Sequence, residues 1–201
     1  MPRATRDESD RTAARILTTS ADLFTRHGFA GVGLEEIAVA AGVTRGAVYH
    51  HFVSKKGLFV AVAESTANRV AQAVVDAADD NREPWDAVAA GCRAFLIAIL
   101  ADDARQILLL DAPTTLGWNT WRQQDSDASG RHLEEALESL VSQQLLVTTS
   151  VPALTALLSG ALNEAALWVA GSPNRDIALD AAWGEFERLL HGLNERTPSG
   201  T

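Results

Sequence analysis

Apolar residues recur at helical spacing along nearly the whole chain, and polar or glycine breaks cut that pattern into short pieces. No stretch alternates apolar and polar residues as a half-buried strand would, and no Asn-Gly or Asp-Gly pair marks a hairpin. The pattern therefore predicts an all-α fold. Ala13, Ile16, Leu17, Ser20, Ala21 and Phe24 form one face of a first helix that starts near Asp10 and stops at Gly28. A second helix runs from Leu34 to Ala41 and ends at Gly42. Thr44 caps a short third helix that ends near Phe52, and Ser54 caps a fourth that reaches about Ala78. Ser, Thr and Asp suit N-caps because their oxygens take up free amide protons, while Gly suits the left-handed stop.

Beyond residue 80 the same spacing continues. Pro84 opens a helix carrying Val88, Cys92, Phe95, Leu96 and Ile99, and Asp102-Asp103 breaks it. Ala104 to Leu110 reads as a short apolar segment and Pro113 to Arg122 as a helix. Gln123 to Gly130 reads as a polar loop. Helices over Arg131 to Leu146 and Pro152 to Ala170 follow, then a last one with Ile177, Ala181, Phe186, Leu189, Leu190 and Leu193. The tail after Asn194 is expected to fray.

Two short helices joined by a glycine turn, the second capped by Thr, make a helix-turn-helix pattern. With about 100° per residue and Val48 set inward, Phe52 also points inward while Gly46 and His50 point outward. Ala47 and Tyr49 lie on the flanks. Arg45 stands at the end of the helix that meets base edges, where its guanidinium suits guanine O6 and N7. The Ala47 methyl suits a thymine methyl, and Gly46 leaves room for close approach. Tyr49, His50 and Lys55 suit phosphates, with Thr44 dividing its hydroxyl between capping and phosphate. His50 and His51 are neighbours about 100° apart on a helix and do not chelate together, so no metal site is expected.

Charge supports this placement. The chain carries a formal −9, yet residues 1–60 hold eight Lys/Arg against six Asp/Glu, a formal +2, and the remainder holds −11. A slightly basic head on an acidic body brings only the head to a polyanion. The single cysteine, Cys92, allows no disulfide within the chain and no zinc-ligand spacing, which suits a reducing compartment. No run of about 18 apolar residues is evident, so no membrane partner is expected. The charged opening, Met1 to Arg6, does not read as a signal peptide. No Ser/His/Asp or Cys/His set is recognisable, and carboxylates fall in solvated runs such as Asp79-Asp80 and Glu134-Glu135, so no enzyme and no cofactor are expected.

The run Gly28-Phe29, Leu34-Glu35-Glu36-Ile37-Ala38, Ala41 to Phe52 and Ser54-Lys55-Lys56-Gly57-Leu58 closely resembles the tetracycline-repressor family over about 50 residues without gaps. Asp111-Ala112-Pro113, Leu116-Gly117-Trp118 and Trp121-Arg122 also resemble a subset of those regulators. The resemblance implies that Arg45, Ala47, Tyr49 and His50 face an operator and that Lys55 meets a phosphate. It implies a DNA-binding domain over 1–54 and an all-helical effector-binding and dimerisation domain over 55–201. It implies a cytoplasmic, nucleoid-associated repressor that a small ligand releases by shifting the spacing of two recognition helices. Two positions depart from the family. Gly33 stands where the family often has a capping Thr or Ser, and Gly57 stands where it often has a better helix former.

One short recognition helix reads few base pairs, so two-fold symmetry is part of the expected mechanism. Leu154, Leu157, Leu158, Ala161, Ala165 and Trp168, with Ile177, Phe186, Leu189, Leu190 and Leu193, form the expected homodimer surface. An unknown, largely apolar effector is expected in the middle region, among Trp85, Cys92, Phe95, Gln106, Leu108, Trp118, Trp121 and Asn163. A DNA-binding scaffold without a small ligand is the alternative, and a filled core without a pocket would mark it.

Overall fold

The computed structural model describes residues 6–195, and among them there is no strand. The helices are α1 (Arg6–Gly31), α2 (Leu34–Ala40), α3 (Arg45–Phe52), α4 (Lys55–Asp79), α5 (Pro84–Ile99), α6 (Asp102–Ala104), α7 (Ala112–Leu116), α8 (Trp118–Asp125), α9 (Arg131–Ser142), α10 (Val151–Ala170) and α11 (Arg175–Glu195). Two further segments, Arg105–Asp111 and Ser126–Gly130, are π-helical. The expected fraying after Asn194 falls mostly on residues outside those described.

The chain divides into two compact units, and the division cuts across the expected border at residue 54. The first unit holds residues 1–66 together with 102–121, and the second holds 67–101 together with 122–201. The reason is packing. In the first unit α1 lies against α6 and the π-helical segment Arg105–Asp111, so residues far along the chain complete the core around the N-terminal helices. Ile16, Phe24, Ile37, Val48, Leu58 and Phe59 are buried there beside Ala104, Ile107 and Leu109. Phe24, Phe29 and Phe59 meet pairwise with ring centroids 5.9, 5.4 and 4.9 Å apart, in tilted and edge-on arrangements that aromatic quadrupoles favour.

The first helix begins earlier than expected, at Arg6. Gly28 leaves the helical conformation as expected, and a short helical piece continues past this break to Gly31. With φ 69°, Gly28 occupies the left-handed region that glycine enters without steric cost. The kink deprives the following amide of a helical acceptor, and the Asp111 carboxylate supplies one: Phe29 N–H donates to Oδ2 at 2.7 Å.

In the second unit α5, α9, α10 and α11 pack together around Phe95, Leu96, Leu137, Leu140, Leu162, Ala166 and Phe186. Gly91 lets α5 approach α4 closely, since a Cβ there would stand 3.3 Å from Val74 Cγ1. The expected helix to Leu146 ends earlier, at Ser142, because Gln144 turns left-handed at φ 60°. Leu145 N–H then closes on the Leu140 carbonyl at 2.8 Å, and Trp85 Nε1 donates to the Leu145 carbonyl at 3.2 Å. The expected loop from Gln123 to Gly130 is helical: α8 runs through Asp125, and Ser126–Gly130 packs on α9 and α10.

Among the described residues one helix, α10, is long and apolar enough to cross a membrane by length and composition. It also carries the buried polar residues Thr155 and Asn163 and packs against α5, α9 and α11. Ser150 caps it, accepting from Ala153 N–H at 3.3 Å.

Candidate nucleic-acid interface and effector cavity

Helix α3 is built by local chemistry. Ala41 N–H bonds to the Ile37 carbonyl, and Gly42 at φ 64° turns the chain out of α2. Val43 N–H closes the turn on the Ala38 carbonyl at 2.9 Å. Thr44, extended at φ −81° and ψ 153°, caps α3 by accepting from Ala47 N–H at 3.2 Å. Acceptance uses a lone pair only, so the hydroxyl proton stays available to an external acceptor such as a phosphate.

Burial divides α3 as its periodicity predicts. Val48 is 1 % exposed, and Phe52 is half-buried. Thr44, Arg45, Gly46, Tyr49 and His50 are exposed and Ala47 is half-buried. The face presented to solvent thus joins Arg45, Gly46, Tyr49 and His50 over a firmly seated Val48. Arg45 leans back along this face: its Nη2 donates to the Tyr49 hydroxyl at 3.2 Å, and its guanidinium carbon lies 5.4 Å from the Tyr49 ring centroid. That hydrogen bond raises the Arg45 pKa further, so the group stays charged. The tyrosine orients the guanidinium and leaves its other donors free.

Lys55 is held differently. It is half-buried, with Nζ 4.3 Å from the Phe29 ring centroid, so the first-unit core fixes where this cation stands. Ser54 caps α4 by accepting from Gly57 N–H at 2.9 Å. The corner between α3 and α4 is tight. Val53 adopts φ 64° and ψ −39°, and Ser54 N–H donates to the Phe52 carbonyl at 2.6 Å. Left-handed geometry costs a β-branched residue about 1–3 kcal/mol, so the surrounding structure imposes this corner. Gly57 belongs to the same arrangement, since a Cβ there would fall 2.3 Å from the Phe52 carbonyl oxygen. The sequence marked Gly57 only as a weakness in α4. The left-handed Val53 carried no signal in the sequence.

Gly33 precedes α2 without a side-chain cap. The Glu36 carboxylate reaches back to its N–H at a long 3.5 Å. His50 and His51 have ring centroids 5.3 Å apart, and no group of three or more His, Cys, Asp or Glu side chains able to hold a metal occurs among the described residues.

A cavity of about 320 Å³ lies within the second unit, bounded by the C-terminal turns of α4 and by α5, α9 and α10. That is within the roughly 300–1,000 Å³ typical of small-molecule sites. Of the eight residues expected to meet an effector, Cys92 and Phe95 line it. The other six do not. Leu108, Trp118 and Trp121 belong to the first unit. Leu108 is core there, and Trp118 and Trp121 face each other with centroids 4.8 Å apart, Trp118 exposed and Trp121 buried. Asn163 is buried on α10 and donates to the Ser159 carbonyl at 3.1 Å. Trp85 and Gln106 are the remaining two outside the lining. The sequence missed Asp79, His132 and Glu135, which do; each reads as an ordinary solvated residue until packing brings it to the cavity. Burial pushes the Cys92 thiol up to about 12, so it stays protonated and behaves as an apolar wall group.

The expected dimer residues also divide. Leu158, Phe186 and Leu190 are 5 %, 3 % and 3 % exposed and serve the core of their own unit. Leu157, Trp168, Ile177 and Leu189 are exposed, and Leu154, Ala161, Ala165 and Leu193 are half-buried.

Comparison with known proteins agrees with this arrangement. Residues 16–62 match the family model for bacterial regulatory proteins of the tetR family, and residues 85–193 match the model for the tetracyclin repressor-like C-terminal domain. The chain is 31% identical over 175 residues to the HTH-type transcriptional regulator SrpR of Pseudomonas putida, covering 82% of this chain and 79% of that protein. It is 37% identical over 71 residues to the HTH-type transcriptional repressor AcnR of Corynebacterium efficiens, covering 35% of this chain and 38% of that one. Matches of this second kind span little more than a third of the relatives' length. A TetR-family transcriptional regulator from Pectobacterium atrosepticum superposes with a TM-score of 0.80 at 30% identity, covering 96% of this chain and all of that one. With a capped helix-turn-helix and a tetracyclin repressor-like C-terminal domain, the chain belongs to the tetracycline-repressor family of DNA-binding transcriptional regulators, which are not enzymes.

Proposed function

We propose that the protein is a homodimeric repressor that binds a palindromic operator in the cytoplasm, at the nucleoid, and is released by a small, largely apolar effector. The observation that carries this reading is the outer face of α3, where Arg45, Gly46, Tyr49 and His50 are exposed over a buried Val48. Arg45 reads guanine in the major groove, Ala47 contacts a thymine methyl, and Thr44, Tyr49, His50 and Lys55 hold phosphates. Two-fold symmetry supplies the second half-site. The outward stripe of α10, from Leu157 through Ala161 and Ala165 to Trp168, together with Leu189 on α11, supports a helical dimer interface. The cavity in the second unit supports an effector over the scaffold reading, which expects a filled core.

The test is in-vitro selection of bound duplexes from random DNA, repeated with a metabolite extract. A two-fold symmetric consensus, weakened by the extract, is the expected result. Arg45→Ala should cost about 1–3 kcal/mol of specific binding and relax one position per half-site. An unchanged footprint would refute the role given to Arg45.

A further inference from the structure

The polar groups at the cavity carry one sign. Its walls are mainly apolar, with Val74, Phe95, Leu133 and Leu162 among them, while Asp79 and Glu135 are the acidic lining residues and no lysine or arginine lines it. His132 also lines it, its Nδ1 3.6 Å from Glu135 Oε2, so Asp79 is the lining carboxylate without a basic side chain beside it in the cavity wall. Asp79 and Glu135 are both exposed, which places them at the mouth, where water still reaches them.

A second feature adds to this potential. Asp79 is the last residue of α4, a 25-residue helix, and Asp76 and Asp80 flank it. The carbonyl end of a helix already behaves as about half a negative charge, so a carboxylate there is unfavourable to the helix by itself. Asp76 has a local role, accepting from Gln72 Nε2 at 2.8 Å, but the helix dipole gives no reason for Asp79. A negative field at the mouth of an apolar cavity does.

We propose that this cavity takes a monocationic amphiphile, with an apolar body against α5 and α9 and a protonated amine or quaternary ammonium at the mouth beside Asp79 and Glu135. The inference rests on reading the cavity as the effector site. A cation at the mouth keeps part of its hydration, so it gains attraction without the full cost of burying a charge. An anion of the same shape meets Asp79 and the carbonyl end of α4, with no lysine or arginine in the wall to receive it.

The test uses three probes of one skeleton, 4-phenylbutylamine, 4-phenylbutan-1-ol and 4-phenylbutyrate, titrated calorimetrically into the full chain. The amine should bind about tenfold more tightly than the carboxylate, with the alcohol between, and high salt should narrow the gap. In the Asp79→Asn/Glu135→Gln double variant the amine and carboxylate should bind within about threefold of each other, with the alcohol unchanged. Carboxylate binding as tight as the amine, or a preference that survives the double variant, overturns the inference. If the alcohol still binds and Ala136→Trp abolishes its binding, the cavity stands as a ligand site and only the cationic class fails. If none of the three binds at millimolar concentration, the effector reading of the cavity falls with it.

Discussion

Replacing Gly33 by serine should stabilise the protein, and the structure sets how much. α2 has only seven residues, so its unpaired N-terminal amides are a large share of its backbone. Gly33 supplies the first helical carbonyl, accepting from Ile37 N–H at 3.1 Å, but it has no side chain to cap with. Its backbone is extended at φ −99° and ψ 152°, which any residue adopts, and a Cβ there meets nothing within 4 Å. A serine hydroxyl would accept from Glu36 N–H while the Glu36 carboxylate holds the cap N–H, completing a reciprocal box. The cap is worth a few tenths of a kcal/mol over glycine. Loss of glycine's freedom in the unfolded chain adds about 0.4–1 kcal/mol. The sum, roughly 0.5–1.5 kcal/mol, should raise Tm by about 1–6 °C for a chain of this size. Urea denaturation should show a higher midpoint with an unchanged m-value. Gly33→Ala is the control, since alanine restricts the unfolded chain but is a worse cap than glycine; it should come out near neutral or below. Equal gains from serine and alanine would refute the capping argument, and a loss with serine would refute the open space.

Lys55→Ala should weaken binding to all DNA sequences alike and flatten the dependence of log K on log salt by about one unit. Loss of its contact with the Phe29 ring should also cost about 0.5–1 kcal/mol of stability in denaturant titrations, whereas a sequence-selective binding loss would contradict a phosphate role. Asp111→Ala strands the Phe29 amide and should destabilise by about 1–3 kcal/mol, while Asp111→Asn, which keeps an acceptor, should cost less; equal losses would show that the hydrogen bond is not the cause. The Cys92 thiol is raised from 9.0 to about 12, so the unfolded chain sheds its proton first as pH rises. Its contribution is intact below pH 9 and is lost progressively toward pH 12, so the stability gap between wild type and Cys92→Ala should narrow across that window. Urea midpoints measured for both proteins at several pH values read this directly, and a constant gap would contradict the burial.

What was legible in the sequence was local. The caps at Thr44 and Ser54, the left-handed Gly42 and the inward Val48 all follow from spacing and side-chain chemistry within a few residues, and the structure has each of them. What failed needed partners far along the chain. Gly28 does break α1, but the short helical piece beyond it was not legible, because the amide freed at Phe29 goes to Asp111, 82 residues on from Phe29. Leu157 and Leu158 are equally apolar and about 100° apart on a helix, so only packing assigns one to the surface and the other to the core. Trp118 and Trp121 suggested a cavity wall, but they pack on each other in the first unit, with Trp118 left largely exposed. Asp79 and Glu135 look like two more solvated charges until the cavity is found between their helices.

The discontinuous first unit also bears on how the protein is made. Its N-terminal part is synthesised through Thr66, then 35 residues of the second unit intervene before Asp102 begins the remainder. At about 5–20 residues per second the ribosome takes roughly 2–7 s over that interval. Throughout it the face of α1 that will meet Ala104, Ile107 and Leu109 has nothing to cover it. The first unit therefore closes its core only after the opening stretch of the second unit has been made, and a nascent chain stalled before Asp102 exposes that apolar face to chaperones rather than presenting a finished DNA-binding domain.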